Sequence, residues 1–213
     1  MKKMIYNPFE RIGGYTALGI GLVVIFITSC LASLSLLHFD GIIDMHFGGD
    51  SSLCLFFIQN LVNLIVITLV FYFIGIFISP SRIRLLDIIG TQALARTPML
   101  LPASFACLIN IKKYNEYIIT AILHDNFKIA LTFTEWVLVV LLLIIVLISI
   151  IWMIVLMFNA YSISTNIKGT KLTVSFIIGI IIAEVITKLI NFFLLKTYII
   201  NDPFELIIEH FSK

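Results

Sequence analysis

The stretch LTFTEWVLVVLLLIIVLISIIWMIVLMF, residues 131–158, decides the fold, because it is almost entirely apolar over a length that no water-facing helix could keep exposed. A helix needs about 20 predominantly apolar residues to cross the ~30 Å hydrocarbon core of a bilayer. Residues 17–37, 53–78 and 172–195 meet the same requirement. The sequence therefore predicts at least four membrane-spanning helices.

The composition of the whole chain agrees with a membrane protein. Of the 213 residues, 61% are hydrophobic and 12% are charged, and the mean hydropathy is +1.12. A soluble domain carries about 25% charged residues to cover its surface. The net charge of +2, without a basic stripe, predicts no nucleic-acid partner. We expect one domain over residues 1–213 whose partners are the lipid bilayer and either further copies of itself or other membrane proteins.

Residues 88–109 form a fifth, less apolar candidate span, and the distribution of charge supports it. If the chain crosses five times, the loops on the amino-terminal side carry mostly basic residues: Lys2, Lys3, Arg11, Arg82, Arg84, Lys168 and Lys171 against Glu10 and Asp87. The opposite loops are mostly acidic: Asp40, Asp44, Asp50, Glu116, Asp125, Asp202, Glu205 and Glu209 against Lys112, Lys113, Lys128, Lys196 and Lys213. The positive-inside rule then places the amino terminus in the cytoplasm and the carboxyl terminus outside.

Short amphipathic helices are predicted beside the spans. The segments 7–10 and 202–205, NPFE and DPFE, each combine a capping residue, a proline at the first helical position and a carboxylate two residues later. Apolar residues recur at helical spacing in two outer segments: Tyr114, Tyr117, Ile118, Ala121 and Ile122, and then Phe204, Ile207, Ile208 and Phe211. Both segments are predicted to lie flat on the outer interface. The alternative is ordinary loop packing.

The cysteines and the amino-terminal end are interpreted as structural. Cys30, Cys54 and Cys107 each lie in an apolar run, and their odd number and lack of CxxC spacing argue against disulfides or a zinc cluster. Residues 27–30, ITSC, look like a lipoprotein cleavage box. The apolar run continues to Leu37, however, so we expect residues 1–29 to remain attached.

Four ionisable side chains fall inside the predicted spans: Arg96, Glu135, Glu184 and Lys188. A charge in the hydrocarbon core is costly, so each is a candidate functional residue. Glu184 and Lys188 are four residues apart and therefore share one helix face, which Asn191 extends. We predict that Arg96 pairs with Glu184, directly or through water, and that Lys188 pairs with Glu135.

Amide side chains on the second span add to this polar network. Gln59, Asn60 and Asn63 are expected to form hydrogen bonds between helices. Two interpretations of the whole network remain open. It either fixes the register of the helices, or it lines a path for an ion, a proton or a small solute.

The first outer loop is rich in potential metal ligands. His38, Asp40, Asp44 and His46 supply two imidazoles and two carboxylates, which are ligands for zinc or a similar ion. An acidic loop with incidental histidines is the alternative. The sequence contains no nucleophile–base pair, glycine-rich phosphate loop or zinc-protease helix, so it predicts neither catalysis nor a cofactor.

Several fragments together resemble the Yip (Ypt-interacting protein) family, and its bacterial members in particular. They are NPFERIG at 7–13, HFDG at 38–41, DIIGTQALARTP at 87–98 and KGTK at 168–171. The resemblance implies a five-helix membrane domain with a proline-containing third span and a small turn before the last helix. It also implies a bacterial inner-membrane location and a non-enzymatic, membrane-organising or scaffold role.

The resemblance does not extend to every property of the family. Eukaryotic Yip relatives bind prenylated Rab-type GTPases and have a long cytoplasmic amino-terminal segment. In this sequence only about 16 residues precede the first predicted span, so GTPase binding is not carried over. The alternative function is a small transporter or channel built around Arg96, Glu184 and Lys188.

The five-span arrangement predicts the side of the membrane for any point in the chain. Reporter domains fused after Lys171 and after Lys213 are expected to lie on opposite sides, because one span separates the two positions. Activity of a cytoplasmic and a periplasmic reporter at each site measures this. Two fusions that report the same side would contradict five spans.

Overall fold

Helices form from the apolar runs and make up most of the chain. The computed structural model describes residues 5–48, 52–123 and 131–200. In this part of the chain the helices are α1 (Gly14–Ser35), α2 (Leu53–Ile78), α3 (Leu85–Ala95), α4 (Leu100–Ala106), α5 (Ile111–Leu123), α6 (Phe133–Thr165) and α7 (Gly169–Ile200). A two-residue antiparallel pair joins β1 (Leu37–His38) to β2 (His46–Phe47). The predicted all-α class is confirmed.

Four of these helices are long and apolar enough to cross a membrane. They are α1, α2, α6 and α7 as far as Lys196, and they coincide with the four strongest predicted spans. A fifth crossing depends on the segment Leu85–Ala106, which qualifies only together with Ile111–Ile118, at 82° to it. The described part of the chain therefore has four membrane-length helices, or up to five spans if this bent pair counts as one.

The third predicted span is broken where its prolines lie. After α3 ends at Ala95, a 3-10 turn (Thr97–Met99) leads into α4. Pro98 has no backbone N–H to continue the helical hydrogen bonds, and its ring disfavours helical geometry before it. The Thr97 hydroxyl donates to the Leu94 carbonyl at 2.6 Å, which satisfies one group that the break leaves free. The predicted span 88–109 thus exists as two short helices and a turn.

Residues with left-handed backbone geometry end two of the long helices. Leu36 follows α1 with φ of 54°, and Asn166 follows α6 with φ of 54°. Asparagine tolerates this conformation well, whereas leucine adopts it at a cost. At Leu36 the chain leaves α1 and turns directly into β1, so its next residues return toward the helices.

Small residues allow α1 and α3 to pack with their backbones almost in contact. A Cβ atom added to Gly21 would lie 2.5 Å from the Ala93 Cβ atom and 2.6 Å from the Ala93 carbonyl carbon. A Cβ atom added to Gly90 would lie 2.5 Å from the Gly14 carbonyl oxygen. Van der Waals packing of close backbones is a main source of helix association in lipid. This contact therefore holds the broken third segment against α1.

Aromatic rings join α2, α6 and α7 on the other side of the bundle. Phe71 stacks on Tyr161 with ring centroids 4.4 Å apart and on Phe176 at 5.5 Å. The Tyr161 hydroxyl lies 3.2 Å from the Ser175 hydroxyl. Gly179 lies against Phe71, where an added Cβ atom would come within 2.7 Å of the ring. Gly21 and Gly179 thus lie at the two places where the helices approach most closely through a glycine of α1 or α7.

Of the predicted surface helices, one is present, one is only a short turn and one lies outside the described residues. The 110–130 loop does contain a helix, α5, whose apolar and polar residues lie on opposite faces, and the 82° bend sets it across the direction of α3 and α4. Residues 7–10 form only a 3-10 turn, Pro8–Glu10, in which Phe9 is buried. The helix predicted after residue 203 falls outside the described residues.

Two glycines of α1 provide a matched test of the α1–α3 contact. Gly21→Ala is expected to lower thermal stability in detergent by about 1–3 kcal/mol, because the added methyl group meets backbone atoms of α3 that cannot move aside. Gly19→Ala is the control, since nothing lies within 4 Å of its added Cβ atom. It is expected to leave stability unchanged or slightly raised. Equal effects of the two substitutions would contradict the close contact.

Candidate functional site

Residues 36–48, which we call the inserted loop, fold back among the helices. The Gly48 N–H donates to the Leu36 carbonyl at 3.0 Å and closes the loop at its base. Its apolar side chains are buried: Leu37, Phe39 and Ile42 are each 2% exposed. The sequence predicted an acidic loop at the membrane surface. Instead, the loop supplies part of the hydrophobic core.

Two asparagines bind the backbone of the inserted loop. Asn63 of α2 donates through Nδ2 to the carbonyls of Phe39 and Gly41, both at 2.8 Å. Asn191 of α7 donates to the Asp40 carbonyl at 2.8 Å and to Asn63 Oδ1 at 3.2 Å. Both amides are buried. They replace water as hydrogen-bond partners for loop carbonyls that have entered the bundle.

The carboxylate of Glu184 holds the same loop from α7. Its Oε2 accepts a hydrogen bond from the Ile43 N–H at 3.0 Å. Gly41 lies so close to Glu184 Oε1 that a Cβ atom at this position would overlap it. One turn further along α7, Lys188 Nζ pairs with Asp44 Oδ2 at 2.6 Å. The predicted polar face of α7 is therefore present, and it binds the inserted loop.

His38 is buried at the edge of this arrangement. Its Nδ1 lies 3.1 Å from Gln59 Oε1 of α2, and its ring stacks on Phe56 at 4.3 Å and on His46 at 5.3 Å. Gln59 therefore binds the inserted loop, as Asn63 does. Asn60 is different, because it donates to the Ser29 hydroxyl of α1 at 3.1 Å and so forms the predicted hydrogen bond between helices.

Asp40 and His46 form a pair in the loop, outside the long helices. His46 Nδ1 lies 3.2 Å from Asp40 Oδ1. Burial acts to raise the pKa of Asp40, but the ion pair with His46 holds it below its usual range. The same pair raises the pKa of His46 against the effect of burial. The stabilisation from this pair is lost as pH falls through the lowered pKa of Asp40, or rises through the raised pKa of His46.

The predicted metal site is not formed by these residues. Among the described residues, no group of three or more histidine, cysteine or carboxylate side chains is placed to hold a metal ion. Of the four predicted ligands, His38 contacts Gln59, Asp44 pairs with Lys188, and Asp40 pairs with His46. His38, Asp40 and His46 lie near one another, but their side chains are not arranged to hold a metal ion together, and Asp44 is paired with Lys188.

The predicted pair of Lys188 with Glu135 is also wrong. Glu135 lies in the first turn of α6, where its Oε2 accepts from the Thr132 N–H at 2.7 Å while the Thr132 hydroxyl accepts from the Glu135 N–H at 3.3 Å. Lys113 of α5 pairs with both carboxylate oxygens at 2.7 Å. Glu135 therefore caps α6 and ties α5 to it. It is not a charge in the interior of the bundle.

Arg96 ends α3 and is 2% exposed. Within the described part of the chain, neither its Nη1 nor its Nη2 has a hydrogen-bond partner. The Glu184 carboxylate is close enough to act on the guanidinium electrostatically, but it forms its hydrogen bond with Ile43. The predicted direct pair between Arg96 and Glu184 is therefore not formed. Glu184 Oε2 accepts its hydrogen bond from the backbone of the inserted loop.

Sequence reasoning missed three contributors to this site. The spacing Thr132-x-x-Glu135 is a capping-box signature that could have indicated the role of Glu135, but Glu135 was predicted to pair with Lys188 instead. Gly41 and the Ile43 N–H carried no comparable signal, because their importance comes from the approach of Glu184, 141 positions away from Ile43. Contacts across such separations depend on the tertiary arrangement.

Asn63 and Asn60 offer a matched test of the role of the inserted loop. Both are buried asparagines of α2, but only Asn63 binds the loop backbone. Asn63→Leu leaves two loop carbonyls unsatisfied, so the loop amides, Ile43 among them, are expected to exchange their hydrogens at least tenfold faster. Asn60→Leu is expected to cost similar stability, about 1–3 kcal/mol, without this local effect. Hydrogen exchange followed by mass spectrometry distinguishes them. Equal protection in both variants would contradict the assignment.

Comparison with known protein families, with curated protein sequences and with solved structures finds no match to this chain.

Proposed function

We propose that this chain is a Yip-type protein of the bacterial inner membrane, with five spans, a cytoplasmic amino terminus and an external carboxyl terminus. In this proposal it catalyses no reaction and organises the membrane as a scaffold through contacts with other copies of itself or with other membrane proteins. The resemblance to bacterial Yip proteins supports the assignment. So do the third segment, interrupted at Pro98, and the short turn between α6 and α7.

The spatial arrangement of the basic turns supports the orientation. The Ser79 hydroxyl donates to the Thr165 carbonyl at 2.6 Å, so the turn after α2 and the turn after α6 lie side by side. The first contains Arg82 and Arg84, and the second contains Lys168. The acidic inserted loop follows the carboxyl-terminal end of α1, on the side opposite to these two basic turns. Such a separation of basic and acidic loops is what the positive-inside rule associates with a cytoplasmic and an external face.

One observation carries the preference for a scaffold over a transporter. The polar side chains of α2 and α7 are used to bind the inserted loop: Gln59, Asn63, Glu184, Lys188 and Asn191 each contact a loop residue. A transport path needs polar groups that can exchange partners with a passing solute. Here each of these side chains already has a partner in the inserted loop, which favours a structural role.

The outer surface of the bundle is suited to contacts within the membrane. α6 is the most apolar of the membrane-length helices. Only 22% of the residues in its most apolar 18-residue stretch are buried inside the molecule. Residues along its length are more than half exposed: Val140, Leu143, Leu147, Ile148 and Ile151. In a bilayer such a face meets lipid or a neighbouring helix. We place the contact with a partner on this face of α6.

A second candidate function is a small transporter or channel, and Arg96 is the observation that favours it. A buried guanidinium whose terminal nitrogens lack partners in the described part of the chain is able to attract a passing anion. Glu184 and Lys188 would then contribute further along the same path. This candidate requires that Glu184 release the inserted loop.

Reconstitution of the full chain in liposomes separates the two functions. A scaffold is expected to show no flux of protons or chloride above that of empty liposomes. It is also expected to show energy transfer between donor- and acceptor-labelled copies above the level of random mixing. Val140→Glu and Leu147→Glu on α6 are expected to reduce this transfer at least twofold, because a carboxylate is costly on a lipid-embedded contact face.

The opposite results would favour the second function. Flux that Arg96→Met abolishes would overturn the scaffold proposal and support transport. Ile181→Glu, on an exposed face of α7 (58% exposed), is the control for the charge itself. If energy transfer falls equally in the α6 and α7 variants, the contact between copies is not specific to this face of α6.

A further inference from the structure

A groove opens between α2 and α7 near the residue where α7 begins. Its volume is about 730 Å³. Most of its wall is apolar and comes from both helices: Ile74, Phe77 and Ile78 on α2, and Val174, Ile178 and Ile182 on α7. Thr170 and Lys171 line one end. Ser175 is the one other polar residue of the wall, so the groove is mostly apolar and is cationic at a single end.

The dimensions of the groove fit one leaflet of a bilayer. It follows α7 from Thr170 to Ile182, and twelve residues of helix rise ~18 Å. Half of a hydrocarbon core of ~30 Å is about 15 Å. Val174 and Ile178 are 50% and 49% exposed, so the described protein leaves this wall uncovered. A single acyl chain, extended along the membrane normal, has the length and chemistry to cover it.

The charged end of the groove lies near further cations that have no ion-pair partner among the described residues. Lys171 is in the groove, Arg82 lies four residues beyond Ile78, and Lys168 lies three residues before Lys171. The hydrogen bond from Ser79 to Thr165 holds these two turns together. Within residues 5–48, 52–123 and 131–200, no ion pair or side-chain hydrogen bond involves Arg82, Arg84, Lys168 or Lys171. Nothing in this part of the chain neutralises them.

We propose that the α2–α7 groove binds an anionic glycerophospholipid, with one acyl chain along its apolar wall and the phosphate group beside Lys171. The inference rests on the proposed membrane orientation, which places this end in the cytoplasmic leaflet, where anionic lipids concentrate. Charge complementarity selects the headgroup, because a zwitterionic lipid brings its own cation to a region already rich in them. The Thr170 hydroxyl is placed to donate a hydrogen bond to the same phosphate.

Native mass spectrometry of the full chain in detergent tests the proposal. Phosphatidylglycerol and phosphatidylcholine with identical acyl chains are titrated separately, and the dissociation constant of the first bound lipid is compared. Phosphatidylglycerol is expected to bind at least fivefold more tightly. Lys171→Gln is expected to weaken its binding about fivefold, in line with the contribution of one lysine to anionic lipid binding. Lys196→Gln, exposed at the other end of the same helix, is expected to change nothing.

A second variant tests the apolar wall. Ile178→Trp fills the groove from an exposed position and is expected to weaken binding of both lipids. Equal affinity for the two lipids, or equal behaviour of Lys171→Gln and Lys196→Gln, would overturn the proposal and leave only a lipid-facing surface. That outcome would not affect the reporter-fusion and energy-transfer results. Conversely, a wrong orientation would appear in the fusions while a lysine-dependent lipid preference persisted in detergent.

Discussion

The structure depends on one constraint: a backbone segment that enters an apolar bundle must find a hydrogen-bond partner for each of its polar groups. The inserted loop brings the carbonyls of Phe39, Asp40 and Gly41 and the Ile43 N–H among the helices. An unsatisfied buried group costs about 1–3 kcal/mol in a protein, and several kcal/mol in hydrocarbon. Asn63, Asn191 and Glu184 supply these partners. Their positions in turn fix how α2 and α7 face each other.

This constraint explains polar residues that would otherwise look like functional machinery. A carboxylate in a transmembrane helix is expected to pair with a cation, since charge neutralisation lowers its cost. Glu184 instead accepts a backbone N–H, and Arg96 is left within its electric field but outside its hydrogen-bonding range. Lys188 neutralises a carboxylate of the loop, Asp44. The charges of α7 thus act on the loop more directly than on the neighbouring helices.

Much of the fold was predictable, because it follows from local properties of the chain. The long apolar runs form helices. Pro98 breaks the third predicted span because it has no backbone N–H and its ring disfavours helical geometry before it. The candidate residues were also found, since ionisable and amide groups stand out in such a sequence. Their partners were not found, because pairing depends on which distant residues meet. The capping position of Glu135 could have been predicted from Thr132, three residues before it, but Glu135 was assigned to Lys188 instead.

The close contact between α1 and α3 has a consequence for how the protein is made. The third segment carries a buried arginine, and an arginine at the centre of a membrane helix costs ~2.5–3.5 kcal/mol during insertion. Two prolines further interrupt its hydrogen bonds. Such a segment is a poor substrate for the translocon by itself, but α1 is synthesised before it and offers Gly21 as a surface against which it packs. In the proposed five-span arrangement, insertion of the third segment therefore depends on α1 remaining beside the translocon. Exchanging α1 for another apolar helix should misassemble the chain during synthesis, even though the number of hydrophobic segments is unchanged.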